Sequence, residues 1–138
     1  MNANRVVIDA NIAFKTLLAS RGDLRDRLAR AADLKFFSPR FLFVELFKHK
    51  DRLGRGSGLG EDELLQALHT LITRIGFIDE DALPVGTWME AYRSCRDVDE
   101  KDTPYVAVAS HLDAPLWTDD TALKVGLQRK GFSSFFEV

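Results

Sequence analysis

Residues 6–11 read VVIDAN: three β-branched apolar side chains run into Asp9, with Asn11 two places later. A short run with no polar alternation is what a strand buried on both faces requires, and such strands belong to parallel sheets covered by helices. In open sheets of that kind, ligands bind beyond the carboxyl ends of the strands, and Asp9 stands at that edge. The pattern returns at residues 114–120, APLWTDD, where a second apolar strand ends on Thr118, Asp119 and Asp120.

Working outward from these two stretches, strand and helix patterns alternate. Arg5–Ile8 reads as a strand and Asn11–Ser20 as a helix capped by Asn11. Asp23–Asp33 reads as an amphipathic helix, and Lys35–Phe37 as a second strand stopped by Ser38 and Pro39. Pro39 suits the first turn of a helix reaching about Leu53. GRGSGLG (54–60) is a loop. Glu61–Ile75 carries Leu64, Leu65, Leu68, Leu71 and Ile72, a helical stripe. Phe77–Ile78 is a third, short strand. Helices follow over Pro84–Arg96 and Thr103–Leu112, then the strand Ala114–Thr118, a helix Thr121–Lys130 ended by Gly131, and a closing strand in Phe132–Phe136. The expected fold is α/β: a three-layer α/β/α sandwich around a mainly parallel sheet of four or five short strands.

Composition bounds the function. The 138 residues suffice for one domain with a sizeable core, and 46% hydrophobic with 29% charged residues is a globular balance. No apolar run approaches the roughly 20 residues that span a bilayer, and the N-terminus lacks the layout of a signal peptide. One cysteine, Cys95, excludes an internal disulfide and suits a reducing cytoplasm. Three dispersed histidines argue against a zinc site. The net charge of −2 is not that of a protein that only grips phosphates, does not exclude a nuclease whose acids are offset by bound cations, and leaves the function open.

The chemistry resides in the acids. Asp9 after the first strand is equally well a helix cap. Glu45 lies in FLFVELF, where every other residue from 41 to 47 is apolar, so its charge needs a partner or a metal. A pair with Lys48 or His49 is the plain alternative. RDVDEKDTPYVAVA offers Asp97, Asp99 and Asp102 ahead of a helix; capping accounts for one of them but poorly for three. Asp119 and Asp120 repeat the choice after the last buried strand. Two carboxylates about 4 Å apart repel by roughly 4 kcal/mol at an effective dielectric near 20. Four of them would strain a domain holding about 5–15 kcal/mol. A cluster therefore calls for protonation, basic neighbours or divalent cations, and hard oxygen donors select Mg2+ or Mn2+.

The order VVIDAN, FVELF, DEKDTPYVAVASHL, APLWTDDTAL resembles the PIN-domain nucleases, including toxins of the VapC type, over nearly the whole chain. The resemblance implies a single nuclease domain over residues 1–138 and a metal-dependent ribonuclease that leaves a 5′ phosphate and a 3′ hydroxyl. Its catalytic and metal-binding acids fall on Asp9, Glu45, Asp102 and Asp120, with Asp99 and Asp119 as competitors for the last two places. Asn11 and Thr118 fall where the family places polar support residues. One or two Mg2+ or Mn2+ ions, an RNA substrate, an antitoxin protein, a homodimer and a cytoplasmic location, with no membrane, are the implied setting.

Other features carry less. GRGSGLG lacks the GK[ST] of a phosphate-binding loop. The nearby Lys48, Lys50, Arg52 and Arg55 could touch an RNA backbone or form a solvated helix end. Trp88, Tyr92, Trp117 and the ten phenylalanines read as core or interface rather than base-stacking platforms. His49, His69 and His111 read as structural. Two rival readings stand beside the nuclease: a non-catalytic PIN fold that binds protein, and an α/β phosphatase or phosphoacceptor domain. Asn11 breaks the DxDx[TV] pattern that the haloacid-dehalogenase version of the latter requires.

Overall fold

The structure is a computed structural model and describes residues 4–18, 34–49, 51, 55, 58 and 60–137. Four strands, β1 (Arg5–Ile8), β2 (Lys35–Pro39), β3 (Ile75–Ile78) and β4 (Leu116–Trp117), form one sheet in the order β3-β2-β1-β4. Every pairing in it is parallel. Helices follow as α1 (Ala10–Leu18), α2 (Phe41–Lys48), α3 (Glu61–Thr73), α4 (Val85–Cys95), α5 (Thr103–Leu112) and α6 (Thr121–Arg129). Single 3-10 turns at Glu80–Ala82 and Glu100–Asp102 lead into α4 and α5.

β1 is the hub because its side chains can go nowhere but inside: Val6, Val7 and Ile8 are all 2% exposed or less. α5 lies across β1, β2 and β4 and packs on α4, and Tyr105 to Ala109 are all buried there. α1 packs on α2 and α3, and α6 on α4. The sheet flanked by helices is the expected α/β sandwich.

β2 and β3 approach closely at one point. Phe37 is paired with Gly76, and a Cβ on Gly76 would lie 2.8 Å from the Phe37 ring. Ser38, fully buried, donates from Oγ to the Ile8 carbonyl at 3.1 Å and ties the carboxyl ends of β1 and β2 together.

Several boundaries differ from expectation. The first helix opens at Ala10, capped by Asp9 rather than Asn11, because the Asp9 carboxylate accepts the Ile12 N–H at 2.9 Å. Pro39 closes β2 instead of opening α2, at a strand end where its missing N–H costs little. The third strand begins at Ile75, which shortens the preceding helix to Thr73. The closing strand reduces to one parallel bridge between Leu116 and Phe135. The helix expected to reach about Leu53 stops at Lys48, where His49 is the C-cap and its N–H donates to the Glu45 carbonyl, and Arg55, within the expected loop GRGSGLG, is helical. The helix expected at Asp23–Asp33 and most of GRGSGLG fall outside the described residues.

Candidate active site

The chain leaves β1 toward β2 on one side of the sheet and returns to β4 on the other, so the strand order reverses between β1 and β4. At such a switch point the connections diverge and open a crevice at the carboxyl ends of the strands. Asp9 follows β1 there, and Thr118, Asp119 and Asp120 follow β4. The Asp9 N–H reaches the Trp117 carbonyl at 3.4 Å, which brings the two strand ends side by side.

A pocket of about 170 Å³ opens at this point, lined by Asp9, Asn11, Glu45, Asp99, Lys101, Asp102 and Asp120 together with Ala10 and Leu123. Three of the acids are delivered as caps and two are not. Asp9 is 3% exposed and caps α1. Asp120 caps α6, accepting the Leu123 N–H at 3.0 Å, while its own N–H donates to Thr118 Oγ1 at 3.2 Å. Asp99 caps the turn before α5 by accepting the Lys101 N–H at 3.1 Å. Asp102 stands at the N-cap position of α5 but makes no side-chain cap bond, so its carboxylate is not spent on the helix. Glu45 comes from the middle of α2 and accepts a short hydrogen bond from the Tyr105 hydroxyl.

The electrostatics show these groups to be near neighbours. Burial, then the charges of Asp99, Asp9, Glu45 and Asp120, push the Asp102 carboxyl up to about 7. Burial likewise raises Asp9, with Asp119 and Asp120 adding to the rise; hydrogen bonds from the Thr118 side chain and the Ile12 backbone oppose it. Tyr105 is held firmly protonated, by burial first and then by Glu45, so it stays a donor. Cys95, buried behind the turn, is raised to about 11 by desolvation and is an inert thiol.

Asp9, Glu45, Asp102 and Asp120 thus line one pocket, with Asp99 and Asn11 beside them. Asp119 is not among the lining residues; its carboxylate pairs with Lys15 at 2.6 Å, both side chains about half exposed. Thr118, 1% exposed, bridges Asp9 and the backbone of Asp120.

Two participants escaped the sequence reading. Tyr105 was legible as a core residue, yet a buried tyrosine hydroxyl needs a partner. Its place three residues after Asp102 sets the two on one side of the chain. Lys101, adjacent to Asp102, lines the same pocket, and no sequence signal separates it from other exposed lysines. Tyr92, read as core or interface, is 48% exposed, whereas Trp117 is core at 3%.

The donors fit a hard divalent cation in kind: the pocket's charged groups are carboxylates with one lysine, and their mutual repulsion is what a cation relieves. Among the described residues, no three His, Cys, Asp or Glu side chains are already drawn together tightly enough to hold one ion.

Among curated proteins no relative matches the chain. A family profile described as PIN domain matches residues 7–134, from β1 to just short of the Leu116–Phe135 bridge. That span takes in every acid of the pocket, and PIN domains are in general nucleases. The chain belongs to the PIN-domain family.

Proposed function

We propose that this protein is a divalent-metal-dependent endoribonuclease that hydrolyses RNA phosphodiester bonds. The observation carrying the reading is that four carboxylates from four separate elements, Asp9, Glu45, Asp102 and Asp120, line one small pocket at the sheet's switch point. These four would hold one or two Mg2+ or Mn2+ ions, with Asp99 beside Asp102. Bound there, a divalent ion supplies Lewis-acid activation of water and neutralises charge on the phosphodiester.

The chain's own residues do the rest. Asp9 and Asp120 present their carboxylates from capped helix ends, so neither has to be ordered when substrate arrives. Tyr105 fixes Glu45 through one oxygen and keeps its own proton. Thr118 donates to Asp9 and accepts from the Asp120 backbone, locking the two strand ends at one spacing. Burial and the neighbouring acids let Asp102 keep its proton up to about 7, and cation binding would displace it. Lys101 brings the one positive charge among the lining residues and is placed to meet a phosphate. No side-chain nucleophile is needed.

The resemblance to VapC-type toxins extends this reading to a toxin restrained by an antitoxin protein and to a homodimer. Co-purification of a small partner and sedimentation of the chain alone test those extensions. Incubating purified protein with RNA and Mn2+, with and without chelator, tests the central claim. Cleavage should require the ion and should fall by roughly a thousandfold or more in Asp9→Asn and in Asp102→Asn. Cleavage unchanged in both variants refutes it.

A further inference from the structure

A second, wider groove of about 730 Å³ runs alongside the acid pocket. Its walls come from α4, the start of α2 and the turn that leads into α5. Lys101 lines both cavities, so the groove adjoins the pocket. Trp88, Tyr92 and Arg96 recur at four-residue spacing along α4 and its C-cap, which places aromatic and cationic groups on one side of the helix. Phe41 faces them from α2.

Three features of this groove need explanation. Tyr92 and Met89 are each about half exposed, an unusual cost for large side chains beside a concave surface. The ring of Trp88 is pinned in place, its indole N–H donating to the Glu80 carbonyl at 3.0 Å. The lining carries three cations, Arg93, Arg96 and Lys101, against the single acid Glu100, in a chain whose net charge is −2. Those cations are weakly committed. Arg93 meets Glu90 at 3.9 Å and Arg96 meets Asp97 at 4.0 Å, the outer limit of an ion pair. Asp97 is itself held by Lys130 at 2.7 Å, and that contact lowers its pKa. Among the described residues Lys101 has no ion pair.

We propose that this groove seats the unpaired stretch of RNA next to the scissile bond. Bases stack on Tyr92, Trp88 and Phe41 while Arg93, Arg96 and Lys101 carry the backbone phosphates into the acid pocket. The inference rests on the reading of that pocket as the RNA-cleaving site and adds the side chains that hold the substrate beside it. Flat aromatic faces accept any base, but only one that is not already stacked in a duplex. Guanidinium groups with spare donors match phosphate oxygens. A protein occupant would use the apolar walls equally well, but it would not call for three under-paired cations leading to a pocket built for phosphodiester chemistry.

The test measures binding apart from cleavage. A labelled single-stranded RNA of about a dozen nucleotides, and the same sequence as a duplex, are titrated with the full chain in chelator. Anisotropy is followed between about 50 and 200 mM salt. The single strand should bind at least tenfold more tightly than the duplex. Tyr92→Ala should weaken it about tenfold with the salt dependence unchanged. Arg93→Ala/Arg96→Ala should weaken it further and reduce the slope of log K against log salt by about 1.4, the share of two phosphate contacts on a single strand. All three side chains are well exposed, so the fold should survive, and circular dichroism checks that. No binding by the unaltered chain, equal affinity for the duplex, or variants that bind RNA normally each overturn the proposal. So does a change of oligomeric state in Tyr92→Ala without loss of RNA affinity, which would assign the groove to a protein. A chain that binds through this groove yet never cleaves with Mn2+ would instead sink the nuclease reading.

Discussion

Replacing Asp102 by asparagine should make the metal-free protein more stable at neutral pH and leave it unchanged in acid. In the folded chain the Asp102 carboxyl holds its proton up to about 7, through burial first and then the charges of Asp99, Asp9, Glu45 and Asp120. In the unfolded chain it ionises near 3.8. Between those values the native state binds the extra proton, so stability falls as pH rises through the window. A gap of about 3 pH units at 1.36 kcal/mol each sets a ceiling of roughly 4 kcal/mol. The group is partly exposed, and screening brings this to about 2 kcal/mol. Asp102→Asn removes the ionisation and keeps the shape. Urea unfolding in chelator at pH 4, 6 and 8 should therefore show the variant and the original chain coinciding at pH 4, with the variant ahead by about 2 kcal/mol at pH 8. That lead corresponds to roughly 6 °C in Tm. Excess Mn2+ should reverse the order, because a ligand that binds only the folded state stabilises the chain that binds it better. An increment of the same size at pH 4 and pH 8, or a variant less stable at pH 8, refutes the account of the pocket as a site of uncompensated negative charge.

Further outcomes follow from individual contacts. Tyr105→Phe removes the donor to Glu45 and should cost about 2 kcal/mol of stability, the range for a hydrogen bond to a charged group. It should also raise the half-saturating Mn2+ concentration for cleavage about tenfold, with the rate recovered at saturation; an unchanged Mn2+ dependence refutes this positioning role. Asp119→Asn breaks only an exposed pair with Lys15 and should change both stability and cleavage little, whereas Asp120→Asn should abolish cleavage. Equal loss in both would show that the pair is not separated as the lining of the pocket indicates. Gly126→Ala would drive a Cβ to 2.7 Å from the Val98 methyl groups and should destabilise the fold by about 1–3 kcal/mol. Trimming the partner in Gly126→Ala/Val98→Ala should recover at least half, read by urea midpoints.

How much of this was legible beforehand depends on which interaction decided each feature. The strands announced themselves because a parallel sheet buries both faces, so Val6–Ile8 and Leu116–Trp117 carry no polar residue to blur them. The boundary at Ile75 was not legible, since the apolar stripe of α3 runs into β3 without a change of composition. Pro39 was ambiguous for a local reason: the ring suits a helix opening and a strand end equally. The site divided in the same way. Glu45 was conspicuous because a charge among Phe, Leu and Val must be accounted for. The choice between Asp119 and Asp120 was closed to the sequence, because it turns on Lys15, 104 residues away along the chain. The sequence left Tyr92 and Trp88 between core and interface, because an aromatic residue on a half-buried helix has the same spacing whichever it faces; Trp88 packs against the core and Tyr92 is half exposed.

The competition between capping and function, which made each acid ambiguous on its own, dissolves once the pocket is seen. Asp9 and Asp120 are both helix caps and pocket walls. A cap uses one carboxylate oxygen, and the same hydrogen bond that satisfies a helix N–H fixes the side chain's direction; the second oxygen is not needed by the helix. Parallel strands β1 and β4 each hand over to a helix at the same edge, so two caps placed for local reasons become neighbours through topology alone. Asp102 is the exception that shows where the two roles part: it occupies the cap position, caps nothing, and carries the pocket's electrostatic burden. It follows that asparagine and alanine substitutions ask different questions here. Asparagine caps as well as aspartate, so Asp9→Asn and Asp120→Asn remove the charge and spare the helix, whereas alanine at either place also costs about 1 kcal/mol of cap. At position 102 there is no cap to lose, so asparagine and alanine should agree in abolishing cleavage, and the difference between the two replacements at 9 and 120, but not at 102, separates what the acids do for the fold from what they do in the pocket.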